Sequence, residues 1–477
     1  MIEGYTSEAK LGSEGRAPCG ALLLRSVMVD IAPFCGWRYN PEKVPDLEEV
    51  VAPPYDVIGP AEQTFFHQRH PWNVVRLDFG QELPSDDAEE NRYSRAAVYL
   101  RQWRKEKILL REERPSIYVY RQTFTGPEGG VLVRTGFIAL VRLEPFGSGR
   151  VFPHEETFAK HRTDRLRLLR ATHAHFNPIF SIFQDPHGEV QAASIVRGRS
   201  PIISLVDRNG VEHTIWAVDE PDLVRGLVRS MKDKPVFIAD GHHRYETCLS
   251  YWEEKRGSVP GMGIQDPFQW TMMYLTRMED QGLVILPTHK MVAGLTGLDQ
   301  TALLRRLGED FLCSEFPFPR PFDEAGYVRT FLKAMLDKGR NGCAIGMALH
   351  GLDSSWILTP RDPEELARGF HHVPGCLRSL GVTFLHEVIF RRILGIDVSD
   401  PKDKHLSYLH DATGAFRRVW AGEVQITFIM NPTKIEELRA VATARCKMPH
   451  KATYFYPKLL SGLVMNIMEE QDRIRQS

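Results

Sequence analysis

The chain has 477 residues, of which 43% are hydrophobic and 25% charged, so its length predicts two or three globular domains rather than one. Its 60 basic and 61 acidic side chains nearly cancel, which argues against a chain that binds nucleic acid or a membrane surface over its whole length. No apolar run reaches the roughly 18 residues of a membrane span, so we expect no membrane partner.

The sequence pattern divides the chain into four stretches. Residues 1–27 are predicted to be a flexible leader, and residues 28–290 a core domain. Residues 291–400, where helical and strand patterns alternate, are predicted to be an α+β insertion or second domain. Residues 401–477 are predicted to pack back on the core. The fold class predicted for the whole chain is therefore α+β (mixed α/β).

Hydrophobic periodicity predicts the elements of the core domain in chain order. The run NVVRLDF indicates a strand, and residues 86–110 carry the spacing of an amphipathic helix. The runs SIYVYRQTF and VLVRTGFIALVRLE flank the turn TGPEGG and predict a hairpin, and PIISLV with EHTIWAV predicts a second. At the far end, LLSGLVMNIMEEQDRIR is predicted to form a final helix.

The seven cysteines are scattered and lack CxxC spacing. This distribution argues against a disulfide framework or a structural zinc site, and it predicts a reducing, cytoplasmic setting. Several nucleotide and catalytic signatures are also absent: the sequence has no G-x-x-x-x-G-K-[ST], no G-x-G-x-x-G after a strand, no G-x-S-x-G and no H-E-x-x-H.

The run FIADGHHRY is the strongest candidate site. An apolar strand breaks at Asp240 and Gly241, and a helical pattern then starts at His242, His243 and Arg244. A strand, a glycine turn and a helix start offer backbone N–H groups to an anion, and the Arg244 guanidinium suits phosphate oxygens. We therefore predict a phosphate-binding turn. An ordinary capped turn, or a metal site built on the two histidines, remains an alternative, and the metal ligands stay unassigned.

A second polar cluster begins within the run VFPHEET. His154 or Glu155 would serve as a general base, while His154, Lys160 and Arg165 would bind phosphate charge. The alternative is a solvated, salt-bridged helix start.

Three further runs supply candidates of the same kind. Lys451 and Lys458 lie among aromatic residues in KMPHKATYFYPK, where they would neutralise phosphates, unless the run is a basic surface loop. Asp56 follows two prolines and would act as a general base or a magnesium ligand, or merely close a turn. His289, in LPTHK, is a weaker phosphate-binding candidate at a strand end.

Taken in order, the motifs PFCGWRYNPEKV, VVAPPYDVI, PHEET…DRLRLLRAT, FIADGHHRYETC, LPTHK and MPHKATYFYPKLLSGLV resemble a known family. It is a widespread prokaryotic domain-of-unknown-function family, number ten-fifteen. The motifs extend over about residues 29–465, which makes the resemblance specific.

The single motif DGHHR is also similar to the phosphate-binding turn of the ParB and sulfiredoxin superfamily. This superfamily includes sulfiredoxin, CTP-hydrolysing partition proteins and kinases of free serine. The resemblance implies a ParB/sulfiredoxin-like phosphate-binding core, elaborated with hairpins, in which residues 241–244 hold nucleotide phosphates. It also places Asp240 next to the metal or the acceptor hydroxyl. Position 242 is histidine where sulfiredoxin has its cysteine, which argues against sulfiredoxin activity.

These observations favour a nucleotide-dependent phosphotransferase that acts on a small hydroxyl metabolite, with free serine as the specific hypothesis. Glu155, Asp56, His242 and His243 would be catalytic, and Mg²⁺ with ATP or ADP would be the cofactors. One alternative is a non-catalytic regulator of ParB-like type that binds nucleotide or nucleic acid, and a second is a metal-dependent hydrolase. Residues 291–400 would form a homodimer interface or close over the site.

Overall fold

The structure is a computed structural model, and it describes residues 29–148, 150–157, 159–258, 265–340, 342–398, 404–449, 451–469 and 472–474. The predicted leader and His450 lie outside these residues. The fold is mixed α+β, as predicted. Within the described ranges, no helix is both long and apolar enough to cross a membrane.

The strands follow one another along the chain as β1 (Ile31–Ala32), β2 (Trp37–Tyr39), β3 (Leu109–Arg111), β4 (Ile117–Thr125), β5 (Val131–Arg142), β6 (Val151–Phe152), β7 (Ala174–His175), β8 (Ile179–Phe183), β9 (Ile203–Val206), β10 (Glu212–Val218), β11 (Val236–Asp240), β12 (Trp270–Arg277), β13 (Val284–Leu286), β14 (His289–Val292), β15 (Phe311–Pro317), β16 (Ile345–Leu349), β17 (Ser354–Pro360), β18 (Leu406–Leu409), β19 (Ile426–Met430), β20 (Tyr454–Tyr456) and β21 (Asn466–Ile467).

The helices are α1 (Pro60–Arg69), α2 (Val75–Asp78), α3 (Arg92–Lys105), α4 (Ala159–Thr172), α5 (Ala192–Ile195), α6 (Pro221–Met231), α7 (His242–Ser258), α8 (Gln300–Asp310), α9 (Glu324–Gly339), α10 (Pro363–Arg368), α11 (Gly381–Phe384), α12 (Ala412–Trp420) and α13 (Ile435–Thr443). Helix α11 continues as a wider π-helix, Leu385–Leu394.

A large first sheet has the strand order β6-β11-β8-β12-β5-β4-β10-β9, with β1 added to β5. The two predicted hairpins are confirmed as β4–β5 and β9–β10. Strand β6 runs parallel to β11, whereas β8 runs antiparallel to it. The residues that follow β6 and β11 and those that precede β8 therefore meet at one edge of the sheet.

A second sheet has six strands in the order β15-β17-β16-β19-β14-β18, and all of its pairs are antiparallel. Helices α9 and α12 cover one face, where Phe331 and Phe416 pack edge to face. One buried apolar cluster extends from Phe180 on the first sheet through Phe455 to Phe428 on the second. This shared core holds the two sheets together.

The strand predicted in NVVRLDF is wrong, because residues 75–78 form α2. The Asn73 side chain accepts a hydrogen bond from Val75 N at 3.0 Å and donates to the Glu49 carbonyl oxygen at 2.8 Å. These contacts bend the chain into a helical turn that buries Val75 and Leu77. Tertiary hydrogen bonds thus override the β propensity of the two valines.

The final helix predicted in LLSGLVMNIMEEQDRIR is also wrong. Ser461 N donates to the Ala52 carbonyl oxygen at 2.8 Å, and Met465 N donates to that of Trp37 at 2.8 Å. Strand β21 then pairs with β7. Side chains on every side of this segment are buried, as at Leu463 and Val464. A segment that is buried on all sides has no polar face, so its hydrophobic periodicity does not distinguish an extended segment from a helix.

Cys376 and Cys446 form a disulfide in the described part of the chain. It joins the segment after α10 to the loop after α13, across a sequence separation of 70 residues. Sequence spacing carried no sign of this pairing, because disulfide connectivity depends on the tertiary arrangement.

Gly136 in β5 lies where the central strands of the first sheet pack closely. A β-carbon there would touch the Leu275 carbonyl oxygen and lie 2.6 Å from the ring of Tyr274. We expect Gly136→Ala to lower the free energy of unfolding by about 1–3 kcal/mol, as overpacking does in other cores. The measurement is the urea midpoint at an unchanged m value.

The matched control is Gly130→Ala in the β4–β5 turn, where no atom of the described residues, apart from those of its chain neighbours, lies within 4 Å of the added carbon. Equal midpoints for the two variants would contradict the close packing at Gly136.

Candidate active site

The site lies at the edge of the first sheet where β6 and β11 both end. Val236 is opposite Val151, and Phe237 is opposite Phe152, in a parallel register. Because parallel strands end at the same edge, His154 and Glu155 arrive beside the turn that follows β11. The topology thus brings together two clusters that are more than 80 residues apart in sequence.

Asp240 is the centre of this arrangement. Its carboxylate accepts a hydrogen bond from Arg244 Nη2 at 2.9 Å and another from Lys458 Nζ. Burial alone would raise the pKa of Asp240, but the charges of Lys458 and Arg244 outweigh burial and hold that pKa below its ordinary value. Asp240 is therefore ionised and already paired with two cations.

The turn itself requires a glycine. Gly241 has a φ of +95°, and a β-carbon there would lie 2.7 Å from Arg244 Nη2. Both the backbone conformation and the space exclude a side chain. Helix α7 starts at the next residue, so its first N–H groups and its positive dipole end face the turn.

Arg244 anchors the turn to the segment that precedes β8. Its Nη1 donates to the Asn177 side-chain oxygen and to the Pro178 carbonyl oxygen, the latter at 2.8 Å. Its Nε, like Thr247 Oγ1, has no hydrogen-bond partner in the described residues, and both residues line a cavity of about 50 Å³. That volume suits one or two waters. The predicted phosphate contact of Arg244 stays a prediction.

Sequence reasoning missed Asn177. No local sequence signal marks it, because its position depends on the antiparallel pairing of β8 with β11, in which Phe180 lies opposite Asp240. That register places the Asn177-Pro178 step, just before β8, beside the turn just after β11.

His242 and His154 form a buried pair whose rings pack edge to face at 4.6 Å. His242 Nε2 accepts a hydrogen bond from the His154 backbone N at 3.3 Å, which leaves the ring hydrogen on Nδ1. His154 Nδ1 donates to the Ile238 carbonyl oxygen at 2.7 Å, and its Nε2 meets Thr453 Oγ1 at 3.0 Å. Burial lowers the pKa of His154 to about 4 and that of His242 well below its ordinary value. Both rings are neutral at pH 7.

Glu155 lies beside this pair. Its Oε2 lies 3.6 Å from His242 Nδ1, and its side chain keeps 28% of its surface exposed. Burial raises the pKa of Glu155 to about 7; Lys451 opposes the rise, and Asp240 adds to it. A carboxyl with this pKa can exchange a proton at neutral pH.

Lys458 is positioned by groups on the first sheet. Gln122 Nε2 donates to the Lys458 carbonyl oxygen at 3.0 Å, and the buried Arg134 donates to the Tyr456 carbonyl oxygen at 3.1 Å. The Lys458 ammonium lies 4.4 Å from the centre of the Tyr454 ring. Burial would lower the pKa of Lys458, but Asp240 and then Asp56 raise it above its ordinary value.

The second sheet contributes His410 to the surroundings of the site. The ring of His410, which follows β18, stacks on Tyr454 with centroids 3.6 Å apart. Its Nδ1 lies 3.2 Å from the Pro287 carbonyl oxygen, just before β14. Sequence reasoning missed His410 because it stands alone between a strand and a helix start.

Three of the remaining predicted residues lie at or beside the site. Asp56 is exposed, and its charge acts on Glu155 and Lys458; Lys451 is half-buried and acts on Glu155 too. His243 lies beside the site, its ring 5.1 Å from that of His161.

Three others do not join the cluster. Lys160 is exposed on α4. Arg165 is buried against Tyr55, where it donates to the Asp78 carbonyl oxygen at 2.7 Å. His289 is buried in the second sheet, and its Nδ1 accepts from Met430 N at 3.1 Å. Their phosphate-binding roles stay predictions.

Across the described residues, no group of three or more histidine, cysteine, aspartate or glutamate side chains is arranged to hold a metal ion.

No protein with a curated description matches the sequence. Among solved structures, a free serine kinase in complex with AMP is 13% identical, with 69% of this chain and 88% of that chain covered and a TM-score of 0.29. A conserved hypothetical protein from Pyrococcus furiosus is 13% identical, with coverage of 68% and 90% and a TM-score of 0.29. SbnI with a C-terminal truncation, from Staphylococcus aureus, is 11% identical, with coverage of 71% and 87% and a TM-score of 0.30. TM-scores of this size support no inference about activity.

A family model, in contrast, matches most of the chain. The family described as "Protein of unknown function (DUF1015)" matches residues 31–383, about three quarters of the chain, and this is the family that the sequence motifs indicated. The chain is a member of the DUF1015 family.

Proposed function

We propose that this protein is a nucleotide-dependent phosphotransferase that acts on the hydroxyl group of a small metabolite. The observation that carries the proposal is the position of Glu155, a carboxyl with a pKa of about 7, next to the glycine turn and its cations. Free serine is the acceptor that we would test first.

Phosphoryl transfer depends on positioning and on neutralising charge more than on covalent chemistry. The turn offers the N-terminus of α7 and the Lys458 ammonium, and Lys451 lies nearby. Both lysines act electrostatically on Glu155 and lower its pKa, so their positive charge is felt at the proposed base. Phosphate oxygens bound there would lie within reach of a hydroxyl that Glu155 deprotonates.

The step balances without a further reactant. Glu155 takes the proton of the acceptor hydroxyl as that oxygen forms a bond to the terminal phosphorus. The bond from this phosphorus to its bridging oxygen breaks, and the nucleotide leaves shortened by one phosphate. His242, neutral and with its Nδ1 3.6 Å from Glu155 Oε2, lies beside the carboxylate and would help to position it during the proton transfer.

A magnesium ion fits this donor set. Mg²⁺ in such enzymes is held by one or two carboxylates together with the substrate phosphates. Asp56 is the exposed carboxylate of the group, while Asp240 is occupied by Lys458 and Arg244. Asp56 would therefore hold the ion, which would supply charge neutralisation for the phosphates when bound.

The first test replaces the proposed base. Glu155→Gln should lower kcat at least about 100-fold, the usual contribution of a general base, and leave the Kd for ATP or ADP within about 2-fold. In the unsubstituted protein, kcat should rise as pH increases through about 7, because only the deprotonated carboxylate accepts the proton. The assay measures nucleotide products by chromatography with L-serine and Mg²⁺.

Stability gives a second readout of the same substitution. Because the pKa of Glu155 is raised in the folded state, its stabilising effect is present at low pH and is lost as pH rises through about 7. Glu155→Gln should therefore stabilise the protein more at pH 8 than at pH 5. The exposed neighbour substitution Glu156→Gln should change neither kcat nor this pH dependence. Normal turnover by Glu155→Gln would refute its role as the base.

The second test disturbs the turn. Gly241→Ala pushes its β-carbon against Arg244 and forces an L-residue into a conformation with positive φ. We expect the Kd for nucleotide to rise at least about 10-fold, equivalent to about 1.4 kcal/mol, as measured by isothermal titration calorimetry.

Gly210→Ala is the matched control. Gly210 has a φ of +76°, but apart from its chain neighbours no atom in the described part of the chain lies within 4 Å of the added carbon. Both variants carry a similar backbone strain, but only the first displaces a group of the site. If Gly241→Ala binds nucleotide as tightly as Gly210→Ala does, the phosphates do not bind at this turn.

A further inference from the structure

A second cavity, of about 80 Å³, lies between the second sheet and the loop that leads to β20. Lys290 on β14 and Asn431 after β19 line it, as do Lys434 and Thr433 at the start of α13. Met448 and Lys451 close it on the side of the first sheet. The volume suits a small polar group and is far below what a nucleotide needs.

Lys290 is the unusual member of this lining. Its side chain is 1% exposed, and its Nζ donates to the Thr288 carbonyl oxygen at 3.2 Å. In the described ranges this is its one hydrogen bond, and no carboxylate lies within 4 Å. A buried ammonium without a counter-charge is costly, so it either loses its proton or takes up an anion.

We propose that this cavity binds the carboxylate of a small organic acid, with Lys290 as its counter-charge. The N-terminus of α13 opens onto the same space and adds favourable dipole charge. Lys434 and Lys451 line the cavity as well, but its volume of about 80 Å³ favours the smaller, planar carboxylate over a tetrahedral phosphate. The Glu437 carboxylate, which also lines the cavity, further disfavours the more highly charged phosphate.

The surrounding charges leave Lys290 as the group that responds to an anion. Glu437 is engaged in capping α13, where its Oε2 accepts a hydrogen bond from Lys434 N at 3.0 Å. Burial lowers the pKa of His289 to about 3 and that of His410 to about 4, so neither ring is charged at pH 7. Burial also lowers the pKa of Lys290 to about 7. An anion bound beside Lys290 should therefore draw a proton onto it.

The cavity adjoins the proposed base through a single residue. Met448, on the cavity wall, donates its N–H to the His154 carbonyl oxygen at 2.6 Å and forms a β-bridge with Glu155. An acid whose carboxylate occupies the cavity would present a neighbouring hydroxyl toward Glu155. The acceptor class is then a small hydroxy acid, a step that rests on the proposed function.

The test measures binding of L-lactate and of its neutral analogue L-lactamide to the intact protein by isothermal titration calorimetry. At pH 8, in two buffers of different ionisation enthalpy, lactate should bind with net uptake of up to one proton, and lactamide should not bind. The lactate affinity should fall by up to about 10-fold per pH unit above pH 7, because the competent state carries the proton.

Lys290→Met keeps the length of the side chain and removes its charge. It should lower lactate affinity at least about 10-fold and raise thermal stability, because an uncompensated buried charge is lost. Lys232→Met, at an exposed lysine after α6, is the control and should do neither. Lactate binding without proton uptake, equal binding of lactamide, or binding of inorganic phosphate in place of lactate would overturn the proposal, and each can be observed without any variant.

A transfer assay separates this proposal from the proposed function. If lactate binds through Lys290 but no hydroxy acid is phosphorylated, the phosphotransferase assignment fails and the carboxylate site stands. If hydroxy acids are phosphorylated equally by the Lys290→Met variant, the acceptor assignment of the cavity fails and the phosphotransferase stands.

Discussion

The ion pair between Asp240 and Lys458 is the interaction on which the site depends. It joins the end of β11 to the C-terminal part of the chain, and both side chains are mostly buried. Desolvating the two charges is costly, so the pair needs further hydrogen bonds to be stable. Arg244 provides one by donating to Asp240, while Gln122 and Arg134 hold the backbone that carries Lys458. Removal of Asp240 would deprive the buried Lys458 of its counter-charge, whereas removal of Lys458 would leave Asp240 paired with Arg244 alone.

This ion pair makes the pKa values of Asp240 and Glu155 differ. Asp240, between two cations, has a pKa below its ordinary value, whereas burial raises the pKa of Glu155 to about 7. At neutral pH, Asp240 is therefore a fixed negative charge, and Glu155 can gain or lose a proton. Environments that push the pKa values of neighbouring groups apart are how enzymes assign different roles to the same chemical group.

Local patterns predicted the hairpins, the strand-turn-helix at Gly241 and the candidates His154, Glu155 and Lys458, because turn residues and periodicity are properties of short segments. Features that depend on which strands become neighbours could not be predicted from local patterns. Asn177 reaches Arg244 through the pairing of β8 with β11, and His410 reaches Tyr454 through the approach of the second sheet. The errors at NVVRLDF and at the C-terminal run have the same origin, since long-range hydrogen bonds decided both segments.

Two buried lysines, Lys458 and Lys290, show how one type of side chain takes different protonation states. Lys458 has Asp240 within hydrogen-bonding distance, and its pKa is raised. Among the described residues, the Lys290 ammonium donates only to the Thr288 carbonyl oxygen, and its pKa falls to about 7. The charge of Lys458 is thus permanent and suits phosphates that are always ionised. The charge of Lys290 depends on what occupies its cavity, because an anion there replaces the missing counter-charge. Lys458 would therefore bind its partner at any physiological pH, whereas Lys290 would favour an anion more strongly as the pH falls toward 7.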